Sequence, residues 1–338
     1  MTKREAVRNA IQNIEGDIVP YNIEFTWQAK ERTAAYLQDP DFVGKIGNHL
    51  SYAGFSGFSG QEIAPGYFQD DFGVVWNRTG ADKEIGVIDN PLIQEPDMRT
   101  YTFPEVPEAQ LRQDFEEMMQ SGLDTFHLAN LGFSMFERAW TLRGMENFLA
   151  DMIAEPEFAH DLLDSICDFN MKIIDIALDY DIDAVHFGDD WGQQKGLIMG
   201  PRLWREFIKP RMAKMFERVR NAGKYVSLHS CGDIEDVFSD LIDIGLNVYQ
   251  TFQPEIYDIT AVKKTYGKNL TFWGGISTQQ LLPFATPDEL RKEVAKIFAV
   301  MKPGGGYIAA PTHEVAFDVP PENIKVLIDI FQSQGTAS

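Results

Sequence analysis

Cysteine is nearly absent: Cys167 and Cys231 are the two in 338 residues. A disulfide framework is thereby excluded. Thiols left for a metal, or for inert burial, suit a reducing compartment, so the chain is expected to be cytoplasmic. Positive charge is scarce too, with 30 Lys and Arg against 51 Asp and Glu and a net charge of −21. That balance opposes binding to nucleic acid or anionic lipid. Solubility and a saline or acidic-proteome host explain it plainly; a partner protein with a basic docking face is the more specific reading. No run of about 18 apolar residues occurs, which argues against a spanning helix. The start, MTKREAVRNAIQNIEGD, is polar where a signal peptide needs its apolar stretch. Export by that route and insertion in a membrane are not expected. Gly-x-Ser-x-Gly and His-Glu-x-x-His are also missing, which argues against the common serine hydrolases and zinc proteases.

Against these absences, 44% of the residues are hydrophobic and 12% aromatic, enough for a sizeable core and against disorder. From about Asp124 onward, short β-rich runs alternate with helical stretches. The runs are Thr125–Ala129, Ala184–Gly188, Tyr225–His229, Val248–Phe252, Leu270–Gly274 and Tyr307–Pro311. Between them lie Glu146–Tyr180, Pro201–Ala222, Ile234–Ile244, Thr286–Met301 and Pro321–Gln332. Strand, helix, strand at this spacing means parallel strands joined by helical crossovers. Both strand faces are apolar and no nucleotide-binding glycine fingerprint is seen, so the pattern predicts a (β/α)8 TIM barrel rather than a doubly wound sheet.

The first third is less regular. Ile18–Phe25 reads as the first strand, Phe72–Trp76 with Glu84–Ile88 as a β-hairpin inserted over the barrel, and Thr102–Ala109 as a connector. Tyr52–Gln61, a mixture of Gly, Ser and Phe, reads as a surface loop, with a lid or apolar pocket wall as the functional alternative. The second barrel strand is unassigned. The expectation is one domain over residues 1–338, with about 28–110 as an irregular insert or lid.

In a parallel barrel the active site forms at the carboxyl ends of the strands. Asn130 follows the run at 125–129, Asp189-Asp190-Trp191 the run at 184–188, and His229-Ser230-Cys231 ends the run at 225–229. Gln253 follows 248–252, and Thr312-His313-Glu314 follows the last. His229 and Cys231, two apart on extended backbone, project to one side and can approach one ion, with His313 as a third ligand once the barrel closes. Three ligands with an open position describe catalytic zinc, and a thiolate with imidazoles suits zinc better than magnesium or calcium. Asp189 and Asp190 read either as an acid/base or substrate-orienting carboxylate beside a loop anchor, or as turn caps; neighbours point to different sides, so one is expected to face the cavity. Gln253 and Trp273 are candidate substrate contacts, with loop support and barrel packing as their plainer roles. Glu137 is a candidate pocket carboxylate, or a salt-bridge partner of Arg138 or Arg143. Cys167, within an apolar helical pattern, reads as a buried small hydrophobe. His127 and His186 read as core histidines, and Lys302–Gly306 as a tight turn rather than a phosphate loop.

The segments HFGDDWGQQKGLIMGPRLWREFIKPR (186–211), LHSCGDIEDVFSDLIDIGLNVYQTFQP (228–254), LTFWGGISTQQLLPFATPDEL (270–290) and GGGYIAAPTHEVAFDVPPENI (304–324), with the looser ERAWTLRGMENFLADM (137–152), resemble the uroporphyrinogen decarboxylase superfamily. More narrowly, they resemble its branch of cobalamin-dependent methyltransferases. The resemblance implies the same barrel and a zinc held by a His-x-Cys pair and a later Cys. Here the pair is His229 and Cys231, and His313, before Pro320–Asn323, stands where the later Cys is missing. The decarboxylases carry an Arg-rich motif near the first strand; residues 20–27 here, PYNIEFTW, have an acid and no arginine, which leaves a polyanionic porphyrinogen poorly stabilised.

The resemblance therefore implies a zinc-dependent methyltransferase moving a methyl group from a small methylated, methoxylated substrate to the Co(I) of a corrinoid (cobalamin) protein. Asp189 or Asp190 would serve catalysis. Asn130, Glu137, Trp191, Gln253 and Trp273 would contact substrate, while Phe55, Phe58 and Trp76 of the insert enclose an apolar ring. The implied partners are the corrinoid protein and a second copy in a possible homodimer. Transfer from methylcobalamin to a thiol, a decarboxylase-like lyase, and a non-catalytic corrinoid- or tetrapyrrole-binding module are the alternatives.

Overall fold

Runs of Val, Ile, Phe, Tyr and Leu form strands because branched and aromatic side chains pack well on a pleated surface. The structure of the protein, a computed structural model, describes residues 1–57, 60–80 and 86–334. Among these, the runs give β1 Leu50–Phe55, β2 Gln61–Ala64, β3 Tyr67–Gln69, β4 Val75–Asn77, β5 Val87–Ile88, β6 Phe126–Leu131, β7 Ala184–Gly188, β8 Tyr225–His229, β9 Val248–Phe252, β10 Thr271–Ile276 and β11 Tyr307–Pro311. One seven-stranded sheet has the order β1-β6-β7-β8-β9-β10-β11, and a second sheet the order β2-β3-β4-β5. The pairs β6·β7, β7·β8, β9·β10 and β10·β11 are parallel, and the second sheet is antiparallel throughout. No helix among the described residues is long and apolar enough to cross a membrane.

The chain divides into two compact units. The first comprises Met1–Ser51, Gly122–His127 and Leu246–Ser338. Its strands β9, β10 and β11 are buried along their whole length, as parallel strands covered on both faces must be. The segment expected as the first strand does not form one. It makes two single parallel bridges, Tyr21 with Ala309 and Phe25 with Val315. Pro20 has no amide hydrogen to donate, and the Asn48 side chain takes both the Ile23 amide (3.0 Å) and the Ile23 carbonyl (2.9 Å), which interrupts the ladder. The segment still lies between neighbours, since the Asn22 amide reaches the Ala309 carbonyl at 3.0 Å and the His49 amide reaches Tyr21 O at 3.0 Å. Two helices form where predicted: Pro287–Met301, opened by a Thr286–Glu289 capping box, and Pro321–Gln332. Lys302–Gly306 is the expected turn into β11.

The second unit comprises Tyr52–Ser121 and Leu128–Gly245. Strands β7 and β8 fall on their predicted residues. The reading of Tyr52–Gln61 as a surface loop is corrected, because Leu50–Phe55 is β1 of the main sheet and Gln61 opens β2. Gly54, at φ +132°, is the physical reason: a Cβ there would lie 2.5 Å from the Asn130 carbonyl oxygen, so glycine here permits close strand approach rather than marking a loop. The expected hairpin is found in part, with Trp76 opposite Ile88 and Asn77 opposite Val87. Glu84 and Ile85 lie outside the described residues, and β2 and β3 were not anticipated. The helical stretch expected over Glu146–Tyr180 is two helices, Met145–Ala154 and Pro156–Ala177. Pro156 cannot continue the first but suits the opening turn of the second. Pro210 likewise lacks the amide that would reach back one turn, and a π-helical turn, Trp204–Ile208, precedes the helix Lys209–Asn221.

The insert is tied to this unit by a buried ion pair. Asp70 accepts the amides of Phe72 (3.0 Å) and Val74 (2.9 Å), the Trp76 indole (3.2 Å) and Arg138 Nη1 (2.9 Å). The Arg138 guanidinium also lies 4.0 Å from the Phe72 ring centre. Phe55 packs against Phe72 and Phe169, and Trp76 against Phe133 and Trp140.

One buried residue of the first unit sets a pH response. His49 packs edge-on against Tyr21 at 4.5 Å with neither ring nitrogen hydrogen-bonded among the described residues. Burial, helped by the Lys3 charge, lowers its pKa to about 4. The unfolded chain therefore takes up this proton first as pH falls, so the group's contribution is complete above about pH 6.5 and declines towards pH 4. Lowering the pH from 7 to 5 should remove about 2 kcal/mol through this residue. Urea unfolding at both pH values should show that much less loss for His49→Phe than for the native chain.

Candidate metal centre

The register of β7 against β8 pairs Gly188 with His229, so the turns leaving the two strands emerge side by side. The Asp189 amide donates to the His229 carbonyl at 3.0 Å, and the Cys231 amide donates to Asp190 Oδ1 at 2.7 Å. The Trp191 amide donates to Ser230 Oγ at 3.0 Å, and the Gly192 amide to the Cys231 carbonyl at 3.2 Å. Gly232, at φ +78°, lets the two turns close: a Cβ there would lie 2.3 Å from the Gly192 carbonyl carbon.

His229 Nε2 lies 3.5 Å from Cys231 Sγ and 3.5 Å from Asp190 Oδ1. Two ligands on one tetrahedral zinc, at ordinary Zn–S and Zn–N lengths, stand about 3.6 Å apart. His313 is exposed just beyond β11. Its turn is held by the Thr312–Thr278 hydroxyl contact at 3.0 Å and by the Val315 amide on Glu24 O at 2.8 Å. His313 belongs to the first unit, and the metal-capable pair of the second unit is His229 with Cys231.

Charge gathers around the pair. Burial pushes the Glu137 carboxyl well above its ordinary range, and the Asp190 and Asp189 carboxylates push it further. Burial pushes the Cys231 thiol up, against the pull of His229. Burial favours neutral His229, yet Cys231 and Asp190 carry its pKa well above the ordinary value. Asp190 is also penalised by burial, but its contacts with His229 and the Cys231 amide hold it below the usual carboxylate range. His186, bonded through Nδ1 to Ser227 Oγ at 2.8 Å, is held neutral by burial with its pKa lowered to about 3; its ring centre lies 6.5 Å from that of His229.

Of the two aspartates, Asp190 meets the His-Cys pair and Asp189 is the anchor. Asp189 has no exposed surface. It accepts the amides of Met135 (3.1 Å), Phe136 (2.9 Å) and Glu137 (2.9 Å) and the Trp191 indole. Its pKa is pushed up to about 6 by burial, against the pull of these donors. Asp189 is therefore corrected from a catalytic to a positioning residue. Trp191 is corrected too: it has no exposed surface and packs against Trp204 at 5.3 Å, so it does not reach a substrate. Trp273, 2% exposed, is a packing residue of β10. Phe55 and Trp76, at 5% and 1% exposed, are taken up by packing, Phe55 against Phe72 and Phe169 and Trp76 against Phe133 and Trp140, instead of enclosing a ligand; Phe58 lies outside the described residues.

Glu137 does not pair with a neighbouring arginine, since Arg138 bonds Asp70 and Arg143 bonds Asp151 at 2.7 Å. Asn130 lies within β6, not after it, opposite His186 in the register. Gln253 is half-buried after β9, where its carbonyl accepts the Tyr257 amide at 3.0 Å. Cys167 is 1% exposed with its pKa raised to about 11 by burial, as expected of an inert thiol. Ser230 and Ser227 were not singled out in the sequence. Ser230 sits between His229 and Cys231, and that position is the available signal.

A parallel α/β protein with a metal-capable His-x-Cys pair at its strand ends is the class these observations define. The family model "Uroporphyrinogen decarboxylase (URO-D)" matches residues 133–334, and the chain belongs to that family. Among curated relatives, the uroporphyrinogen decarboxylase of Psychromonas ingrahamii is 25% identical over 190 residues, covering 52% of this chain and 48% of that protein. That of Chlorobaculum tepidum is 24% identical over 252 residues, covering 66% and 67%. The match to the Psychromonas protein thus spans about half of that relative's length. A solved methyltransferase from Methanosarcina mazei shares the fold, with a TM-score of 0.69 at 15% identity over 98% of this chain and 99% of that one.

Asp189→Asn keeps the size and one acceptor oxygen but turns an NH2 group towards backbone donors. Leaving a buried donor unsatisfied costs about 1–3 kcal/mol. Urea unfolding of this variant should show a loss of about 2–4 kcal/mol; an unchanged midpoint would remove the anchoring role.

Proposed function

We propose that the chain is a zinc-dependent methyltransferase built on a (β/α)8 barrel, taking a methyl group from a small methoxylated substrate to the Co(I) of a corrinoid protein. The observation that carries this reading is the His229–Cys231 pair, to which the reading adds His313 as the third ligand. One thiolate and two imidazoles fit zinc and disfavour hard cations, and the 3.5 Å between His229 Nε2 and Cys231 Sγ matches shared ligation. Zinc bound there supplies a Lewis acid for the oxygen that leaves with the bonding pair when the methyl group departs. Histidine in place of a second thiolate leaves the site one unit less negative, which strengthens that acidity.

In this reading the chain's own residues bind and orient. Asp190 accepts the Cys231 amide, and its Oδ1 lies 3.5 Å from His229 Nε2, the same nitrogen that faces Cys231 Sγ, so its carboxylate stands where a further oxygen ligand to the ion would be. Glu137, Asn130 and Gln253 are the half-buried polar groups offered to the substrate. Family membership supports the barrel, and the likeness in fold to the Methanosarcina methyltransferase supports the reaction class. A second reading, porphyrinogen decarboxylation, is favoured by the curated relatives; Glu24, with no arginine in residues 20–27, counts against it.

Mass spectrometry of untagged protein should find about one zinc per chain, lost in Cys231→Ser and His313→Ala. Asp190→Asn, which removes a negative oxygen from beside the ion, should lower zinc affinity. Methyl transfer from methoxylated aromatics to a reduced corrinoid protein should fail in His229→Ala. Full transfer by metal-free protein or by that variant would overturn the reading, and consumption of a porphyrinogen in place of methyl transfer would favour the second.

A further inference from the structure

The unit that holds β9–β11 carries an open groove of about 990 Å³, none of whose lining residues is a metal-centre residue. Its walls are apolar: Ile259 opens the helix Ile259–Tyr266, Leu281 and Phe284 belong to the turn Leu281–Phe284, and Ile297 lies on the helix Pro287–Met301. Phe284 is 79% exposed, so its ring is free apolar surface at the groove. The volume lies within the range of small-molecule sites, which combine apolar walls with few polar groups.

Three carboxylates and one ammonium line the groove, and most of them are already committed. Glu289 Oε2 accepts the Thr286 amide at 2.8 Å and hydroxyl at 2.7 Å, closing the helix cap. Glu293 is paired with Lys296 at 2.6 Å. Glu255 differs. The Ser277 hydroxyl bonds its Oε1, while its Oε2 is buried with no hydrogen-bond partner among the described residues. A carboxylate oxygen withdrawn from water without a donor is costly, and the most favourable donor for it is cationic.

We propose that this groove binds a small organic cation, a protonated primary amine on an alkyl or aryl body. Its ammonium group donates to Glu255, and its hydrocarbon lies along Ile259, Leu281, Phe284 and Ile297. The site involves none of the metal-centre residues, so the inference stands independently of the proposed reaction.

Isothermal titration of the full chain with n-hexylammonium chloride at low salt tests it, with hexan-1-ol as the neutral probe. Saturable binding of the amine is expected, weakened about tenfold or more both by replacing it with the alcohol and by Glu255→Gln. Phe284→Ala, at an exposed ring that the core does not need, should weaken binding several-fold without changing the unfolding temperature. Absence of binding at millimolar amine would overturn the proposal. So would equal affinity for the alcohol, unchanged affinity in Glu255→Gln, or binding of a lysine-bearing peptide but not of the free amine.

Discussion

The carboxylate of Asp189 receives three successive backbone amides and an indole, and the geometry beside the metal-capable pair depends on it. The amides belong to the turn that opens the helix Phe136–Arg143. First-turn amides have no partner within their own helix, and the helix dipole favours negative charge there. One buried acid therefore fastens the start of that helix to the end of β7. Glu137 is thereby brought beside Asp190 and Asp189; burial first, and then those two carboxylates, raise its pKa against the pull of His229.

Gathering Glu137, Asp189 and Asp190 about the half-buried His229 imidazole is unfavourable on its own terms, because like charges repel strongly where water is scarce. The cations nearest in sequence do not relieve it, since Arg138 and Arg143 are bound to Asp70 and Asp151. A metal cation inverts this logic by stabilising the thiolate and the neutral imidazole together. The acidic surroundings and the His-x-Cys pair thus point to the same need. The insert contributes by rigidity: Asp70 and the aromatic cluster about Phe72 hold Arg138, and with it the helix that carries Glu137.

Much of the main sheet was legible because its strands are apolar runs bounded by turn residues. Strands β7, β8, β9 and β11 fell on the residues read for them. β1 was not legible, because Gly54 carries no strand signal and its value lies in a close approach to Asn130 that only the paired strand reveals. The first segment failed as a strand for a comparable reason, as Asn48, distant in sequence, takes the hydrogen bonds a ladder would use. A one-residue interruption at Glu155 was likewise hidden inside a continuous helical pattern.

The sequence by itself determined the parallel strand–helix rhythm and the pairing of His229 with Cys231, because residues two apart on extended backbone share a side whatever surrounds them. It also determined that Asp189 and Asp190 point apart. Which of the two meets His229, and whether Trp191 and Trp273 face a ligand or the core, only the tertiary structure decided. Those outcomes depend on strand register and on which neighbouring surface covers each face, and both are set by residues far along the chain.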